Sequence, residues 1–360
     1  MKKIPLFRAK TPFFSTALFT LFCLIGLFNL TACQKTAEVV ALSGKTMGTT
    51  YHIKYIDDGN LGKTAEQVQK EIDEILKEVN RQMSTYIPTS EISRFNQSQQ
   101  INTPFDISPE FGKVVAEAIR LNKVTDGALD ITVGPVVNLW GFGPEKRPDK
   151  QPSPELLTER QSRVGIDKLK LTETDGKFAL EKSIPQLYID LSSIAKGFGV
   201  DQVADYLEGL HVANYMVEIG GEIRAKGHNS ENKDWQIAVE TPTLDGSRTA
   251  NEIIGLKNRA MATSGDYRNY FEENGQRFSH EIDPKTGKPI QHHLASITVI
   301  TDSCMSADGL STGLFVLGED KALQLAEQEN LAVYLIIKTD NGFVTKMSSA
   351  FEKLLKASQN

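Results

Sequence analysis

The sequence predicts an α+β fold in which mostly antiparallel sheets pack against helices. Short apolar segments with strand character follow one another between turn residues, without the strict strand–helix alternation of a doubly wound fold. Other segments place apolar residues at helical spacing. Hydrophobic residues make up 40% and charged residues 24% of the 360 residues, which is typical of a globular protein with a sizeable core.

The first part of the chain predicts one strand and two helices. Residues 42–56 alternate in part and indicate a strand, and residues 66–83 have apolar side chains at helical spacing. A second helix is expected after Ser108, a capping residue, with Pro109 at the first helical position. Residues 141–154 are rich in Gly, Pro and charge, which is typical of an internal loop or subdomain boundary.

The second part of the chain is dominated by predicted strands, with two helices between them. One helix covers residues 194–207 and is closed by Gly209, and the other covers residues 304–317 and is stopped by Gly318. The predicted strands cover residues 187–191, 214–227 (two strands around Gly220-Gly221), 235–240, 259–263, 277–282, 294–300 and 331–337.

The N-terminus has the features of a secretory signal: a basic start, an apolar run and small residues directly before Cys33. This order resembles the bacterial lipobox, where the signal is cut and the cysteine receives lipid. We expect export, and an uncleaved signal anchor is the alternative. The predicted divisions are a signal peptide over 1–32, a lipidated Cys33 and polar tether over 33–42, and one domain over 43–360.

A lipid anchor predicts a location on the periplasmic side of the cell inner membrane. Gln34 is not the aspartate associated with inner-membrane retention, so the outer membrane stays an alternative. Cys23 leaves with the signal and Cys33 takes the lipid, so Cys304 has no partner and no disulfide is expected. The net charge is −6, and because residues 1–33 carry basic but no acidic side chains, the remainder is more acidic still. An acidic chain disfavours nucleic acid as a partner.

Three short motifs contain side chains that could bind a ligand or take part in a reaction. In residues 190–197 a predicted strand ends in Ser192-Ser193 and opens a helix that carries Lys196. A helix start exposes unpaired N–H groups and favours a phosphate, and Lys196 adds a full positive charge. The alternative is that one serine caps the helix and Lys196 is solvated.

In the second motif, Asp308, Ser311 and Thr312 are three and four residues apart, so they share one helical face. Mg²⁺ prefers oxygen ligands and is commonly held by one or two carboxylates together with substrate phosphates and water. This face is therefore a candidate magnesium site, and ordinary capping by Asp308 is the alternative.

In the third motif, His280 precedes a Pro-Gly turn and has a side chain able to take a proton near neutral pH. A structural role on a strand is the alternative. The other histidines lack metal-ligand spacing, which disfavours zinc. The chain has neither a G-x-G-x-x-G nor a Walker-type phosphate loop, so a bound nucleotide would be held in another way.

Taken together, the motifs resemble the ApbE family of FAD:protein FMN transferases. The resemblance covers nearly all of the chain after the signal, in order: Met47 to Tyr51, Ser84 to Tyr86 with residues 90–96, residues 127–135 with Trp140 to Gly143, and residues 190–197, 217–222, 262–267, 279–284 and 307–312.

This resemblance implies an ApbE-like fold with FAD bound between two subdomains and Mg²⁺ beside its diphosphate. The residues implied to bind FAD are Met47, Tyr86, Ala128, Leu129, Asp130, Asp190, Lys196 and Ile282. Those implied to surround the metal are Ser193, Asp308, Ser311 and Thr312, and His280 and Asp308 are the implied catalytic residues.

The implied reaction is attack by an acceptor threonine hydroxyl on the FMN-side phosphorus, with AMP as the leaving group. The implied acceptors are flavoprotein subunits of the sodium-pumping quinone reductase or Rnf type, which face the same compartment as a lipid-anchored domain. An FAD pyrophosphatase with water as nucleophile, a non-enzymatic FAD-binding lipoprotein and a structural lipoprotein are the alternatives.

Overall fold

The computed structural model describes residues 38–144, 151–242, 248–265, 270–273 and 276–358. The helices are α1 (Ala65–Met83), α2 (Glu91–Gln97), α3 (Pro109–Val124), α4 (Gly134–Leu139), α5 (Pro154–Gln161), α6 (Ala195–Gly209), α7 (Cys304–Leu317), α8 (Glu319–Gln328) and α9 (Ser349–Ser358). A 3₁₀ turn covers Ile166–Lys168.

The strands in the first part are β1 (Glu38–Thr46), β2 (Thr49–Asp57), β3 (Phe105–Ile107), β4 (Leu169–Thr174), β5 (Lys177–Lys182), β6 (Tyr215–Ile219), β7 (Glu222–Lys226) and β8 (Trp235–Pro242). Those in the second part are β9 (Arg248–Leu256), β10 (Arg259–Gly265), β11 (Tyr270–Glu273), β12 (Gln276–Ser279), β13 (Ile282–Asp283), β14 (Lys288–Pro289), β15 (Leu294–Thr301), β16 (Ala332–Thr339) and β17 (Gly342–Met347).

Within these ranges the largest sheet has the order β1-β2-β6-β7-β10-β15-β16-β17. Every strand pair in the described part of the chain is antiparallel. Smaller sheets join β3, β5 and β4, and pair β8 with β9, β11 with β12 and β13 with β14. The predicted α+β class with mostly antiparallel sheets is therefore confirmed.

The central sheet is covered on both faces at β16, whereas residues of β2 near the sheet edge alternate between buried and exposed. Val333 and Leu335 pack in the core that includes α3 and α7, whereas Tyr334 and Ile336 pack on the opposite face with Phe351 of α9. Successive side chains of a strand point to opposite faces, so a strand covered on both sides needs a continuous apolar run. This explains why residues 331–337 lack alternation.

Several expectations need correction. Residues 42–56 form a hairpin rather than one strand, because Met47 and Gly48 both have positive φ (48° and 73°) and make the two-residue turn between β1 and β2. Residues 187–191 form no strand; their backbone is irregular. Residues 277–282 contain the end of β12 and the start of β13 with a break between them.

The capping prediction for α3 is also wrong in detail. Ser108 stands at the helix start, but its side chain makes no capping bond. Its hydroxyl donates instead to Glu91 Oε2 over 2.7 Å, and its amide donates to Glu91 Oε1 over 2.8 Å. Glu91 is a buried carboxylate of α2, so Ser108 fastens α3 to α2.

The predicted signal peptide and Cys33 lie outside the described residues, as do residues 145–150 of the predicted 141–154 loop. Strand β1 begins at Glu38, inside the segment 33–42 that was expected to be a tether. Across the ranges given above, no helix has the length and apolar character needed to cross a bilayer.

Candidate active site

Three charged side chains from distant parts of the chain meet between α6, α7 and β7. Lys196, in the first turn of α6, donates from Nζ to Glu222 Oε1 over 3.0 Å and to Asp308 Oδ1 over 3.3 Å. Both carboxylates are almost fully buried, with side-chain exposures of 5% and 3%, whereas Lys196 is 29% exposed. A partly exposed cation thus lies above two buried anions.

Gly197 allows α6 and α7 to approach this closely. A Cβ atom at Gly197 would lie 2.2 Å from the carbonyl oxygen of Cys304 and 2.8 Å from Cβ of Asp308. The absence of a side chain lets the Gly197 amide donate to Asp308 Oδ2 over 2.8 Å. Asp308 therefore caps the N-terminus of α6 from another helix, which favours its negative charge.

Hydroxyl groups extend the cluster along α7. Ser311 Oγ donates to the carbonyl oxygen of Asp308 over 2.9 Å. Ser264, near the end of β10, has its Oγ 2.9 Å from Ser311 Oγ and 3.4 Å from Thr312 Oγ1. Asp308, Ser311 and Thr312 do lie on neighbouring parts of one helix, and Ser264 is a fourth oxygen that the sequence did not single out.

Burial and charge oppose each other in this cluster. Burial disfavours the ammonium of Lys196, but the carboxylates of Asp308 and Glu222 outweigh it and raise the pKa of Lys196. Burial raises the pKa of Glu222, against the lowering effect of the Lys196 charge. Lys196 therefore stays a cation at neutral pH, which a phosphate-binding group requires.

Sequence reasoning missed Glu222. It follows the Gly220-Gly221 turn at the start of β7; it lies in segment 217–222 of the family resemblance, but no role is predicted for it there. Its Oε2 is buried and has no hydrogen-bond partner in the described residues, although Oε1 is bound by Lys196. A buried carboxylate oxygen without a partner is costly, so a ligand donor beside Gly220 would stabilise it.

The donor set fits Mg²⁺ only as an open site. No group of three or more His, Cys, Asp or Glu side chains that could hold a metal occurs in the part of the chain that the structure describes. The cluster offers the Asp308 carboxylate and the hydroxyls of Ser264, Ser311 and Thr312, which are hard oxygen ligands. Mg²⁺ accepts such a partial set when substrate phosphates and water complete its coordination.

The segment before α6 is arranged differently from the expectation. Neither serine caps α6, whose N-cap residue is Ile194 without a side-chain bond. Ser192 instead bonds to its neighbour: its amide donates to Asp190 Oδ1 over 2.8 Å. Ser193 is half-buried at the entrance to α6. Asp190 is close enough to Tyr86 that partial burial and the Asp190 charge both raise the pKa of that tyrosine, whose ring is 67% exposed.

The loop after α3 lies beside this segment, because the Asp190 amide donates to the carbonyl of Ile131 over 2.8 Å. Asp130 is half-buried, and its Oδ1 accepts from the amide of Thr132 over 2.8 Å. Burial raises the pKa of Asp130. Ala128 and Leu129 are buried, so a ligand would meet their backbone rather than their side chains.

Met47 reaches the cluster from the β1–β2 turn. Its φ of 48° is unusual for a residue with a side chain. Its Cε packs against Gly199 of α6: a Cβ atom added to that glycine would lie only 2.8 Å from it. The hairpin turn therefore packs one helical turn from Lys196. Strained backbone of this kind is often found at functional sites.

The chain is similar to known proteins over most of its length. A family model described as "ApbE family" matches residues 47–335. The chain belongs to the ApbE family. It is 69% identical over 331 residues to a Haemophilus influenzae protein named "FAD:protein FMN transferase", covering 92% of this chain and 96% of that one. A Vibrio cholerae protein with the same name is 53% identical, with 93% and 98% covered.

Solved structures give the same result for this ApbE-family chain. "Flavin Transferase ApbE from Vibrio cholerae" superposes with a TM-score of 0.82 at 52% identity, covering 89% of this chain and 100% of that one. The apo form of "Pseudomonas stutzeri flavinyl transferase ApbE" gives a TM-score of 0.81 at 39% identity, with 89% and 97% covered. The predicted ApbE-like fold is confirmed.

Two further candidate residues of the ApbE-family chain lie where β12 ends and β13 begins. His280 follows β12, with its side chain 30% exposed and Nε2 3.3 Å from Glu281 Oε1. The ring of Phe142 packs edge-on at 6.3 Å. Ile282 is buried with Phe278 and Trp140 in a small apolar cluster, so its backbone is the part that a ligand would contact.

Proposed function

We propose that the protein is an FAD:protein FMN transferase that uses Mg²⁺, forms a phosphoester with a threonine hydroxyl of an acceptor protein and releases AMP. The observation that carries the proposal is the contact of Lys196 with the buried carboxylates of Glu222 and Asp308 beside a row of hydroxyls. The names of the relatives, which this chain resembles over more than nine tenths of its length, support the same activity.

Each residue has a defined task in this proposal. The Lys196 ammonium binds the FAD diphosphate, and Glu222 Oε1 and Asp308 Oδ1 orient it. Asp308, Ser311, Thr312 and Ser193 hold Mg²⁺, which when bound neutralises phosphate charge. Met47, Tyr86 and the segments around Asp130 and Asp190 hold the rest of the dinucleotide.

The chemical step is a displacement at phosphorus. The threonine Oγ bonds to the FMN-side phosphorus, the bond from that phosphorus to the bridging oxygen breaks, and AMP leaves with the bridging oxygen. Phosphoryl-type transfer depends chiefly on positioning and charge stabilisation. His280 accepts the threonine proton; its partial exposure lets an incoming protein side chain approach, and Glu281 beside it stabilises the resulting cation.

The proposal extends to location and partners. Residues 1–32 direct export, Cys33 carries lipid, and the domain faces the periplasm from the inner membrane. The acceptors are flavoprotein subunits of the sodium-pumping quinone reductase or Rnf type. Mass spectrometry of the protein from the membrane fraction should show a chain that begins at a lipidated Cys33, whereas a chain that keeps residues 1–32 would identify an uncleaved signal anchor.

The test incubates the protein lacking residues 1–33 with FAD, Mg²⁺ and a purified acceptor subunit. Mass spectrometry of the acceptor should show one added FMN, and chromatography should show an equal amount of AMP. Chelation of Mg²⁺ and the Asp308→Asn variant should each abolish both signals, whereas Asp302→Asn, an exposed residue next to α7, should not. Free FMN with an unmodified acceptor would identify a pyrophosphatase, and no AMP at all would identify a binding protein.

A further inference from the structure

Helices α6 and α7 cap each other through a pair of aspartates. Asp308, one turn into α7, accepts from the Gly197 amide at the start of α6 over 2.8 Å. Asp201, in the second turn of α6, accepts from the Cys304 amide at the start of α7 over 3.0 Å. The contacts run in reverse order along the two helices, as an antiparallel pair requires.

Asp201 makes the firmer of the two caps. Its Oδ2 accepts from the Met305 amide over 2.9 Å and from the Ser303 hydroxyl over 2.7 Å. Its Oδ1 accepts from Arg224 over 3.1 Å in addition to Cys304. The residue is 9% exposed, so these donors replace water around its carboxylate. Free amides at a helix start favour an anion, and Asp201 supplies it.

We infer that Asp201 is a positioning residue for the Mg²⁺ and diphosphate site, an inference that rests on the proposed function. Asp201 ties the first turn of α7 to α6. Asp308 lies one turn further along α7, and Lys196 lies in the first turn of α6. The distance between Asp308 and Lys196 is therefore set by how α7 is held at its N-terminus.

The mechanism of the effect is geometric. Asp308 has one oxygen on Gly197 and the other on Lys196, so a small slide of α7 along α6 breaks both contacts together. Metal-binding carboxylates depend on such outer partners, whose removal commonly lowers metal affinity about ten- to hundredfold. Asp201 touches neither the metal nor FAD in this account.

The chain offers a matched control at Asp205. It lies one turn further along α6 and accepts from the same Arg224 nitrogen over 2.9 Å, but it is 59% exposed. In the Asp201→Asn variant the side chain keeps its shape, but one oxygen becomes an NH₂ group. That group faces a backbone N–H or hydroxyl donor of α7 and cannot accept its hydrogen bond. Asp205→Asn removes an equal charge from the same arginine without changing that cap.

The experiment measures Mg²⁺ affinity of the FAD-bound protein by titration calorimetry, together with hydrogen exchange of the peptide that contains Gly197. Asp201→Asn should weaken Mg²⁺ binding about tenfold or more and speed exchange at Gly197. Asp205→Asn should leave both unchanged. In activity assays the Asp201→Asn enzyme should need about tenfold more Mg²⁺ and regain most of its kcat at saturating Mg²⁺.

A core variant separates positioning from general destabilisation. Phe351→Leu, on the opposite face of the central sheet, lowers stability without contacting α6 or α7, and it should not change Mg²⁺ affinity. If Asp201→Asn does not fold, Ser303→Ala removes one donor to Asp201, together with the N-cap of α7, and should weaken Mg²⁺ binding about threefold or more.

The outcomes distinguish the two proposals. Unaltered protein that transfers no FMN overturns the proposed function, and the Gly197 exchange rate still tests Asp201. The positioning role is overturned if the unaltered protein transfers FMN but Mg²⁺ affinity and Gly197 exchange are the same in Asp201→Asn as in Asp205→Asn.

Discussion

A buried lysine in the small β3-β5-β4 sheet makes the stability of the protein depend on pH. Lys182, at the end of β5, is 2% exposed, and its Nζ lies 3.2 Å from the carbonyl oxygen of Asn96, 3.3 Å from that of Pro185 and 3.4 Å from that of Leu187. The ring of Phe95 lies beneath it, with the centroid 5.0 Å away. Burial lowers the pKa of Lys182 from 10.5 to about 8.

Because burial lowers the pKa of Lys182, the free energy of unfolding increases as the pH rises. Below about pH 8 the folded and unfolded states are both protonated, and the folded state bears the cost of a buried charge. Between about pH 8 and the unfolded value the folded state releases its proton first, so the free energy of unfolding rises with pH. Each unit of pKa difference between the folded and unfolded states corresponds to about 1.4 kcal/mol. The full gain in the free energy of unfolding is therefore about 3 kcal/mol, and most of it is reached by pH 10.

The perturbation is Lys182→Met, which removes the titration and keeps the apolar stem. Urea unfolding of the unaltered protein and the variant at pH 7 and pH 10 gives the difference in free energy at each pH. That difference should shift by about 2.5 kcal/mol in favour of the unaltered protein at the higher pH. The exposed Lys170→Met, on the neighbouring β4, controls for charge alone and should show no such shift. A difference for Lys182→Met that stays constant from pH 7 to pH 10 would refute the reasoning.

Three further substitutions test the site itself. Gly197→Ala places a methyl group 2.2 Å from the Cys304 carbonyl, so it should destabilise the fold by about 1–3 kcal/mol in urea unfolding. Gly209→Ala, with open space at the other end of α6, should not, and equal stability of both variants would contradict the close packing. Glu222→Gln removes one of the two carboxylates on Lys196, so kcat/KM for FAD should fall about ten- to hundredfold; Glu218→Gln on β6 is its control, and an unchanged kcat/KM would remove Glu222 from the site. His280→Gln should slow single-turnover FMN transfer about a hundredfold or more while FAD affinity stays unchanged. The exposed His52→Gln should transfer at the normal rate, and a normal rate in His280→Gln would assign acceptor deprotonation to another group.

Asp308 and Asp201 show how one helix pair serves two purposes. The carboxylates that flank Lys196 stabilise its charge, and the carboxylate that caps α7 holds one of those carboxylates in place. Arg224 lies on β7, the strand that begins with Glu222, and balances the charge of Asp201. The site and the residues that hold it, Asp201 and Arg224, therefore lie on the same elements. A substitution at Asp201 should change the site although Asp201 contacts no ligand.

Local patterns in the sequence determined most elements by themselves. The helix α7 has the predicted bounds, because Gly318, with its positive φ, ends the helix through a local backbone preference. The outer ends of the two strands around Gly220-Gly221 and the start of the helix α1, at Ala65, each differ from the prediction by one residue. The grouping of Asp308, Ser311 and Thr312 also follows from helical spacing, which needs no other part of the chain.

The tertiary structure alone decided which elements meet. Lys196 and Asp308 are 112 residues apart and Lys196 and Glu222 are 26 apart, so their contact depends on the strand order of the central sheet and on the packing of α6 against α7. Residues 187–191 have an apolar pattern, but no neighbouring strand pairs with them in the described structure, so the pattern alone did not make a strand. Periodicity specifies which face of an element is apolar, whereas a site is formed where several such faces are brought together by the whole fold.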